Sequence, residues 1–362
     1  MQQLFLELLN IAIGNSDRLS RIPSESEWSQ LFAISKQQAV LGFCYTALSK
    51  LPKEQFPPQS IFLQWLAFYN IISKRNQLLN DRCAQLQQKL QDDGFKHIAF
   101  LKGQTNAVRY PDPFCRQCGD IDVWVEGGKE LVKEYASKQS KDLHHNGEHF
   151  VYDCFSDVSV ELHYRLGYSR TSWIVKKTIP YFQEKLENND FSLTLPNGKN
   201  ISALDYETNI IHQLLHIFKH FWLGGIGFRQ IIDFYFVLID AYNHNVDFKH
   251  LDKVVKKVRL HSFAAALMSV LKEIFHLPES AMICKPNNWR GKYLLNEIFR
   301  SGNFGYYNSF KIKNKQNSKV IRKINSLFYS MRLIPYYPMK WMWNFVRKIK
   351  SNIVKLFKYL VR

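Results

Sequence analysis

The sequence predicts an α+β protein in which an α/β core lies between an N-terminal helical segment and a C-terminal helical domain. Apolar residues recur at helical spacing over residues 1–95, short alternating runs occupy residues 96–203, and helical spacing returns over residues 204–303. The last segment, residues 304–362, is basic and aromatic. With 362 residues, 46% of them hydrophobic, the chain can build two or three domains or one elaborated domain around a full core.

The N-terminal helices are predicted from apolar spacing and from capping signals. Residues 4–11 place their leucines and isoleucine at helical spacing, and Ser24 has the character of a helix cap. A long periodic helix over residues 61–91 follows and ends near Gly94, a residue suited to a left-handed cap. This helix leads directly into the first strand.

The first part of the α/β core is predicted to be a strand, a turn and a short helix. Residues 98–101 form a continuous apolar run, which is typical of a buried strand, and a Lys-Gly pair ends it. A short helix over residues 104–109 follows. The Tyr-Pro-Asp-Pro run at positions 110–113 then breaks the chain before the next strand.

The rest of the α/β core alternates between helices and strands. One helix is predicted over residues 129–139, after a Gly-Gly pair, and another over residues 171–186. Residues 149–155 and 158–165 are predicted to form an antiparallel pair, because both runs alternate in polarity around a short polar turn. The Pro-Asn-Gly-Lys turn at positions 196–199 predicts a hairpin.

Two carboxylates at alternate positions are the most informative feature of the core. Asp120 and Asp122 point to one face of a strand, and Glu161 lies in a second alternating run beside Ser159 and His163. If the two strands are neighbours, three carboxylates converge on a face where we expect no basic side chain between them. Such a cluster repels itself unless it holds a cation, and hard oxygen ligands suit Mg²⁺ or Mn²⁺. The pattern therefore predicts a metal site of the kind used in phosphate chemistry.

The order of these motifs resembles the nucleotidyltransferase superfamily that includes DNA polymerase beta and the antibiotic nucleotidyltransferases. The motifs are Leu101-Lys102-Gly103, Tyr110-Pro111-Asp112-Pro113, Arg116, Gly119-Asp120-Ile121-Asp122-Val123 and Val160-Glu161-Leu162-His163. Within the superfamily, the chain is similar to the bacterial uncharacterised nucleotidyltransferases often found in polysaccharide gene clusters. The resemblance is clearest over residues 98–166. It departs from the common superfamily pattern in the residue that follows the turn glycine, Gln104, and in a longer interval before the first aspartate.

The resemblance implies a nucleotidyltransferase-like mixed sheet and an enzyme that moves a nucleoside monophosphate from a nucleoside triphosphate, such as ATP, to an acceptor. It implies Mg²⁺ or Mn²⁺ as cofactor, and a sugar or lipid-linked glycan as acceptor. The implied catalytic residues and metal ligands are Asp120, Asp122 and Glu161, with Glu161 doubling as general base. Gly103 then allows close approach of the phosphates, and Lys102 or Arg116 offsets their charge.

Two other functions remain open from the sequence. One is a catalytically inactive interaction module that keeps this fold at a membrane surface. The other is an RNA-modifying transferase, which a basic tail would serve by attracting phosphates.

The positive charge of the chain is concentrated in its last residues. The net charge is +18, yet residues 311–362 alone hold 14 Lys and Arg and no acidic residue, so the rest of the chain is near +4. Within residues 335–362, Trp, Phe and other apolar residues interleave with Lys and Arg. This composition fits a helix on an anionic membrane surface, a helix that covers the protein's own core, or a nucleic-acid contact.

The cysteines and the hydropathy predict a cytoplasmic protein, with peripheral attachment at the inner face of the membrane as an option. The six cysteines are scattered, and Cys115 and Cys118, spaced as in zinc or redox sites, lack a second pair. The first residues lack the basic start of a signal peptide, and no run approaches the length needed to span a bilayer.

One predicted helix of the C-terminal domain carries a face of three histidines. His212, His216 and His220 recur every four residues, so they line one side and either contact metal or phosphate or form a polar packing face, which we favour. On the next helix, Arg229 and Asp233 stand four residues apart, and we expect them to form an ion pair. The family resemblance leaves open a supporting role for them near the site.

Overall fold

A computed structural model of the chain describes residues 1–140, 147–167, 172–307, 318–339, 341–343 and 345–346. The α-helices are α1 (Gln2–Ile13), α2 (Glu25–Gln37), α3 (Leu41–Leu48), α4 (Gln59–Asp92), α5 (Gly103–Ala107), α6 (Gly128–Ser137), α7 (Ser172–Glu187), α8 (Tyr206–Leu223), α9 (Phe228–Asn243), α10 (Phe248–Lys257), α11 (His261–Phe275), α12 (Asn288–Ser301) and α13 (Lys319–Met331). The strands are β1 (Ile98–Leu101), β2 (Ile121–Val125), β3 (His149–Tyr152), β4 (Val160–His163), β5 (Ser192–Thr194) and β6 (Asn200–Ser202).

A four-stranded mixed sheet forms the centre of the fold, in the order β1-β2-β4-β3. Strands β1 and β2 are antiparallel, β2 and β4 are parallel, and β3 and β4 are antiparallel. The β5–β6 hairpin forms at the predicted Pro-Asn-Gly-Lys turn, and a bridge from Ala203 to Phe100 ties it to β1. The α+β class and the mixed sheet predicted from the sequence are confirmed.

Helix α4 brings the N-terminal helices to the sheet. It has 34 residues, so it is roughly 50 Å long. It begins two residues before the predicted start because Pro58 precedes its first turn, and Gly94, with a φ of +96°, follows its end as predicted. Helix α2 is capped at Ser24, whose hydroxyl accepts from the backbone of Glu27 while the Glu27 side chain accepts from the backbone of Ser24.

Two hydrophobic cores lie on the two sides of the sheet region. The larger core joins the N-terminal helices to α8–α12, with Trp28, Trp65 and Phe263 almost fully buried in it. The smaller core packs the second half of α4 and α6 against the sheet. Sequence-distant helices therefore share one apolar core, and this shared core sets the position of α8 and α9 relative to the strands.

Strand β1 matches its predicted range, whereas the other predicted strand pair and the short helix of the core are shorter than predicted. The predicted pair over residues 149–155 and 158–165 pairs only over β3 and β4, because residues 153–159 form the connection. The predicted helix over residues 104–109 ends at Ala107, after which the amides of Arg109 and Tyr110 close tighter turns onto Asn106 and Ala107.

No helix within the described ranges is both long enough and apolar enough to cross a bilayer.

Candidate active site

The turn after β1 places a lysine at the edge of the sheet. Lys102 has a φ of +49° and Gly103 a φ of +47°, a region that costs a side-chain-bearing residue about 1–3 kcal/mol. Such strain persists only where the surroundings hold it, and here α5 begins at the next residue. The turn brings Lys102 Nζ to 3.0 Å from Asp122 Oδ2.

The structure brings the three predicted carboxylates together. In the parallel register Asp122 lies beside Glu161, so both side chains leave the same face of the sheet. Asp120 precedes β2 by one residue, and one carboxylate oxygen from each of the three lies within 4.8 Å of the others. This proximity depends on the parallel pairing of β2 with β4. The alternation of side chains along each strand did not by itself predict that pairing.

The electrostatics of the cluster differ between its members. The charge of Asp122, followed by burial, raises the pKa of Asp120. Burial acts against ionised Asp122, but Lys102 and His163 more than offset it and hold the pKa of Asp122 well below its usual range. Burial likewise acts against ionised Glu161, and hydrogen bonds from His149 and His163 lower its pKa overall. Two carboxylates are therefore held ionised, and the third is repelled by its neighbour.

The expectation that no basic side chain lies among the carboxylates is wrong. Lys102 and His163 contact Asp122 from two sides, with His163 Nε2 at 2.9 Å from Asp122 Oδ1. His149 Nδ1 lies 2.9 Å from Glu161 Oε2. Lys102 reaches the cluster from the turn and His149 from β3, so neither appears in the alternation of the two acidic strands.

Arg116 is held by a buried ion pair from α9. Its Nε and Nη2 each lie 2.7 Å from the carboxylate of Asp233, a bidentate contact in which both side chains are about 95% buried. The hydroxyl of Tyr110 also donates to Asp233, at 2.7 Å. This arrangement fastens the loop before β2 to α9.

The predicted ion pair between Arg229 and Asp233 is wrong. Asp233 faces the loop that carries Arg116, and a bidentate guanidinium satisfies its two oxygens. Arg229 instead donates from Nη1 to the carbonyl of Gln117 at 2.7 Å and lies over the ring of Phe304. Its buried Nε has no hydrogen-bond partner among the described residues. Burial, followed by the charge of Arg116, lowers the pKa of Arg229.

A cavity opens between the acidic face of the sheet and helices α8 and α9. Its floor comes from the turn and from the start of β2, and its wall comes from the two helices and the loop after α12. The lining residues are Lys102, Gly103, Arg116, Gly119, Asp120, Asp122, Gln213, His216, Arg229, Gln230, Asp233 and Phe304. The cavity therefore combines carboxylates, an ammonium group and guanidinium groups in one small space.

The histidine face of α8 forms part of this wall. Burial, followed by the charge of Lys102, lowers the pKa of His212 to about 3 and that of His216 well below its usual value, so both are neutral at neutral pH. The three histidines join none of the groups of metal-binding side chains that the described residues form. The favoured interpretation, a polar packing face, agrees with these contacts, and His216 adds a neutral imidazole to the cavity.

Cys115 and Cys118 are free thiols in the loop before β2. Burial raises the pKa of both, and Arg116 Nη1 donates to Cys118 Sγ at 2.9 Å. Protonated, enclosed thiols are poor nucleophiles and poor metal ligands. The pair belongs to the packing of the loop.

Two asparagines of α4 support the site and were missed in the sequence. Asn76 Nδ2 donates to the carbonyls of Phe114 and Arg116, at 2.9 and 2.7 Å. Asn80 Oδ1 accepts from Gln104, the residue that departs from the superfamily turn. The available signal was a pair of polar residues four apart on the buried face of a long amphipathic helix.

A mixed sheet that presents clustered carboxylates beside a glycine turn defines a protein of the nucleotidyltransferase class, and the family comparison agrees. The family model described as "Uncharacterised nucleotidyltransferase" matches residues 24–276. The match covers most of the chain, so the chain belongs to this family and is a transferase of that general type. No curated protein sequence and no solved structure matches the chain.

Proposed function

We propose that the protein transfers a nucleoside monophosphate from a nucleoside triphosphate to an acceptor hydroxyl and releases pyrophosphate. The observation that carries the proposal is the convergence of Asp120, Asp122 and Glu161 beside the turn at Lys102 and Gly103. Carboxylates brought this close together favour a multivalent cation, and oxygen ligands favour Mg²⁺ or Mn²⁺ over softer metals.

The residues fit a cation on two counts. Asp122 and Glu161 are held ionised, and the charge of Asp122 raises the pKa of Asp120, a repulsion that a bound cation would relieve. The cluster also already attracts a cation, the ammonium of Lys102. Asp120, Asp122 and Glu161 would hold the metal, which supplies charge neutralisation at the phosphates and acidifies the acceptor hydroxyl. Glu161, held ionised, accepts the proton of that hydroxyl.

Lys102, Gly103 and Arg229 bind the phosphates in this proposal. Gly103 has open space beside its α-carbon, so the backbone can approach an oxygen closely. The family resemblance implied that Arg116 offsets the phosphate charge, but its guanidinium group is paired with Asp233. Arg229 lines the same cavity and keeps an unpartnered Nε, so it is the better-placed guanidinium.

The charges of the cavity favour joint entry of metal and triphosphate. The charged lining residues are Lys102, Arg116, Arg229, Asp120, Asp122 and Asp233, and Glu161 joins two of them in the carboxylate cluster. Three positive charges therefore face four carboxylates, so a divalent cation alone reverses this small negative excess and a triphosphate alone enlarges it. The two ligands neutralise each other, and each should strengthen the binding of the other.

A larger cavity, lined by the far end of β2 and by α7, is our candidate acceptor site. It is lined by Trp124, Glu126 and Tyr164, among others, and Trp124 leaves the same face of β2 as Asp122. An aromatic ring with nearby polar groups suits a ring-shaped polyhydroxyl ligand. This supports a sugar or glycan as the acceptor.

Attachment to an anionic membrane surface is also part of the proposal. Helix α13 exposes an apolar face at spacings of three and four residues, formed by Ile321, Ile324, Phe328 and Met331. After it, Leu333 and Tyr337 are buried in the core, whereas Trp343 and Val346 are exposed. The start of the tail thus covers the protein's own core, and the remaining apolar groups are left for lipid. Residues 347–362 of the predicted membrane segment lie outside the described residues.

A thermal-shift panel of the four nucleoside triphosphates, with and without Mg²⁺, tests the proposal. We expect one or more to stabilise the protein only with Mg²⁺, by about 2.7 kcal/mol at 100 times the dissociation constant. Asp122→Asn should abolish the shift. Asp92→Asn, a change at an exposed position on α4, serves as the matched control and should keep it. A nucleotide shift that is equal in Asp122→Asn and in the wild type would contradict the proposal.

The role of Arg229 has its own arm in the same panel. Arg229→Gln should weaken triphosphate binding by about 10-fold or more, since a charge-assisted hydrogen bond is worth about 1.5–3 kcal/mol. Nucleoside monophosphate binding should change much less. Arg18→Gln, at an exposed position, is the control. Equal loss for both nucleotides would place Arg229 outside the triphosphate site.

A further inference from the structure

Two histidines and two carboxylates share one face across three neighbouring strands. His149 on β3 lies directly opposite His163 on β4, and Glu161 lies two residues before His163 on the same strand. Asp122 on β2 lies beside Glu161. Because side chains alternate along a strand and align across it, all four project to the same side.

The nitrogen and oxygen atoms of this group are already close. His163 Nε2 lies 2.9 Å from Asp122 Oδ1 and 3.6 Å from Glu161 Oε2. His149 Nδ1 lies 2.9 Å from the same Glu161 oxygen. One ligand atom each from His149, Glu161 and His163 lies within 4.8 Å of the others. All three side chains are at least three-quarters buried, so few waters compete for these atoms.

We propose that His149, Glu161 and His163 form a second cation site that takes a transition metal such as Mn²⁺, Co²⁺ or Zn²⁺. This site extends the proposed function. It depends on the proposed function only because Glu161 belongs to both this site and the carboxylate cluster. Two imidazoles and one carboxylate form a donor set that binds transition metals well, whereas Mg²⁺ prefers oxygen donors throughout.

The geometry requires little rearrangement. Ligand atoms that are each about 2.0–2.2 Å from one ion lie no more than about 4.4 Å apart. The ligand atoms of the three side chains lie within 4.8 Å of one another, so they need to move by only tenths of an ångström to bind one ion. The protons that now lie between imidazole nitrogens and carboxylate oxygens leave when the metal binds. Three protein ligands leave positions open, which a substrate oxygen can fill.

The donor set also separates the two sites chemically. Asp120 belongs only to the carboxylate cluster, and His149 belongs only to the mixed cluster. The carboxylate cluster accepts Mg²⁺, and the mixed cluster selects against it. The protein therefore takes two cations of different chemical class, joined by the carboxylate of Glu161.

Pulsed electron paramagnetic resonance of Mn²⁺ bound to the full chain tests this inference, because it detects nitrogen nuclei that ligate the ion. We expect nitrogen modulation in the wild-type protein. The double variant His149→Gln, His163→Gln should lose it, although glutamine keeps a donor toward each carboxylate. His244→Gln, at an exposed histidine, is the matched control and should retain the signal. Asp120→Asn should also retain it.

Three results would overturn the inference. They are bound Mn²⁺ without nitrogen modulation in the wild type, modulation that persists in the double variant, and no binding of Mn²⁺. The wild-type spectrum decides the matter even if the variants fold poorly. If the nitrogen modulation is absent but nucleotides still stabilise the protein in the presence of Mg²⁺, this inference alone is contradicted. Modulation in a protein that binds no nucleotide sinks the proposed function and leaves the metal site in place.

Discussion

At the scale of single residues, Asp233 fixes the position of the loop at the candidate site without being one of the proposed metal ligands. It accepts two hydrogen bonds from Arg116 and one from Tyr110, and the three side chains are almost fully buried. Removing one partner of a buried ion pair costs about 3–5 kcal/mol, because the remaining charge stays desolvated and unpaired. The loop that precedes Asp120 depends on this contact.

We expect Asp233→Asn to lower the free energy of unfolding by about 3–5 kcal/mol. Urea denaturation at neutral pH measures this loss. The matched change Asp92→Asn, at an exposed carboxylate, should shift the free energy by no more than about 0.5 kcal/mol. A loss below about 1 kcal/mol for Asp233→Asn would show that the pair stabilises little.

The same residue gives a pH dependence with a definite sign. Burial acts against ionised Asp233, but Arg116 and Tyr110 more than offset it, so the folded-state pKa is below the usual value. The stabilisation is therefore complete above the unfolded pKa of about 3.9 and is lost as the pH falls through the folded pKa. Unfolding measured from pH 7 downward should show a smaller acid loss in Asp233→Asn. Identical acid profiles would contradict this assignment.

At the scale of elements, the turn between β1 and α5 joins the sheet to the groups that we propose bind phosphate. Lys102 and Gly103 both have positive φ, and a β-carbon at Gly103 would meet only the carbonyl of Asp120, at 3.8 Å. The requirement for glycine here is therefore conformational, since space is available. A left-handed conformation costs a non-glycine residue about 1–2 kcal/mol.

Gly103→Ala should destabilise the protein by about 1–2 kcal/mol and weaken nucleotide binding, because relief of the strain moves the turn. Gly119→Ala is the matched control for stability. The φ of Gly119 is not positive and no atom lies within 4 Å of the place that a β-carbon would take, so the stability should stay near that of the wild type. Urea denaturation with the thermal-shift panel measures both effects. Equal losses for the two variants would contradict the conformational argument.

Local sequence patterns predicted which strands and turns form in the core better than they predicted which strands lie side by side. The apolar run of β1, the alternation of β2 and β4, and the Pro-Asn-Gly-Lys turn were all readable, because each depends on neighbouring residues. The adjacency of β2 and β4, and the reach of His149 into the cluster, depend on sheet order and register. The cavity wall from α8 and α9 depends on a core built from distant helices, so sequence spacing alone paired Arg229 with Asp233 and did not place its guanidinium in the cavity.

At the scale of the whole molecule, the charge and the apolar surface lie in the same part of the chain. The last 52 residues, 311–362, hold 14 of the 49 Lys and Arg, and the described part of that segment exposes Phe328 and Trp343. Basic groups near an anionic surface contribute about 1 kcal/mol each. The face of α13 and the residues beyond Val346 therefore form the membrane-binding region of the proposal.

Truncation after Val346 should reduce binding to anionic vesicles while leaving the fold intact, because it keeps the buried residues Leu333 and Tyr337. Co-sedimentation of the full chain should exceed that of the truncated chain, and added salt should weaken it. Neutral vesicles are the control. Equal binding by both chains, or preference for RNA over vesicles, would contradict membrane docking through these residues.

The most direct test of nucleotidyl transfer follows two labels of one nucleoside triphosphate through the reaction with a glycan-containing extract and Mg²⁺. We predict that label on the α-phosphorus enters the acceptor fraction and that label on the γ-phosphorus is released in pyrophosphate. Asp122→Asn should reduce both signals by at least about 100-fold, since even changes to groups that only support metal ligands cost about 10–100-fold. Label on the γ-phosphorus in the acceptor, or undiminished transfer by Asp122→Asn, would contradict the account.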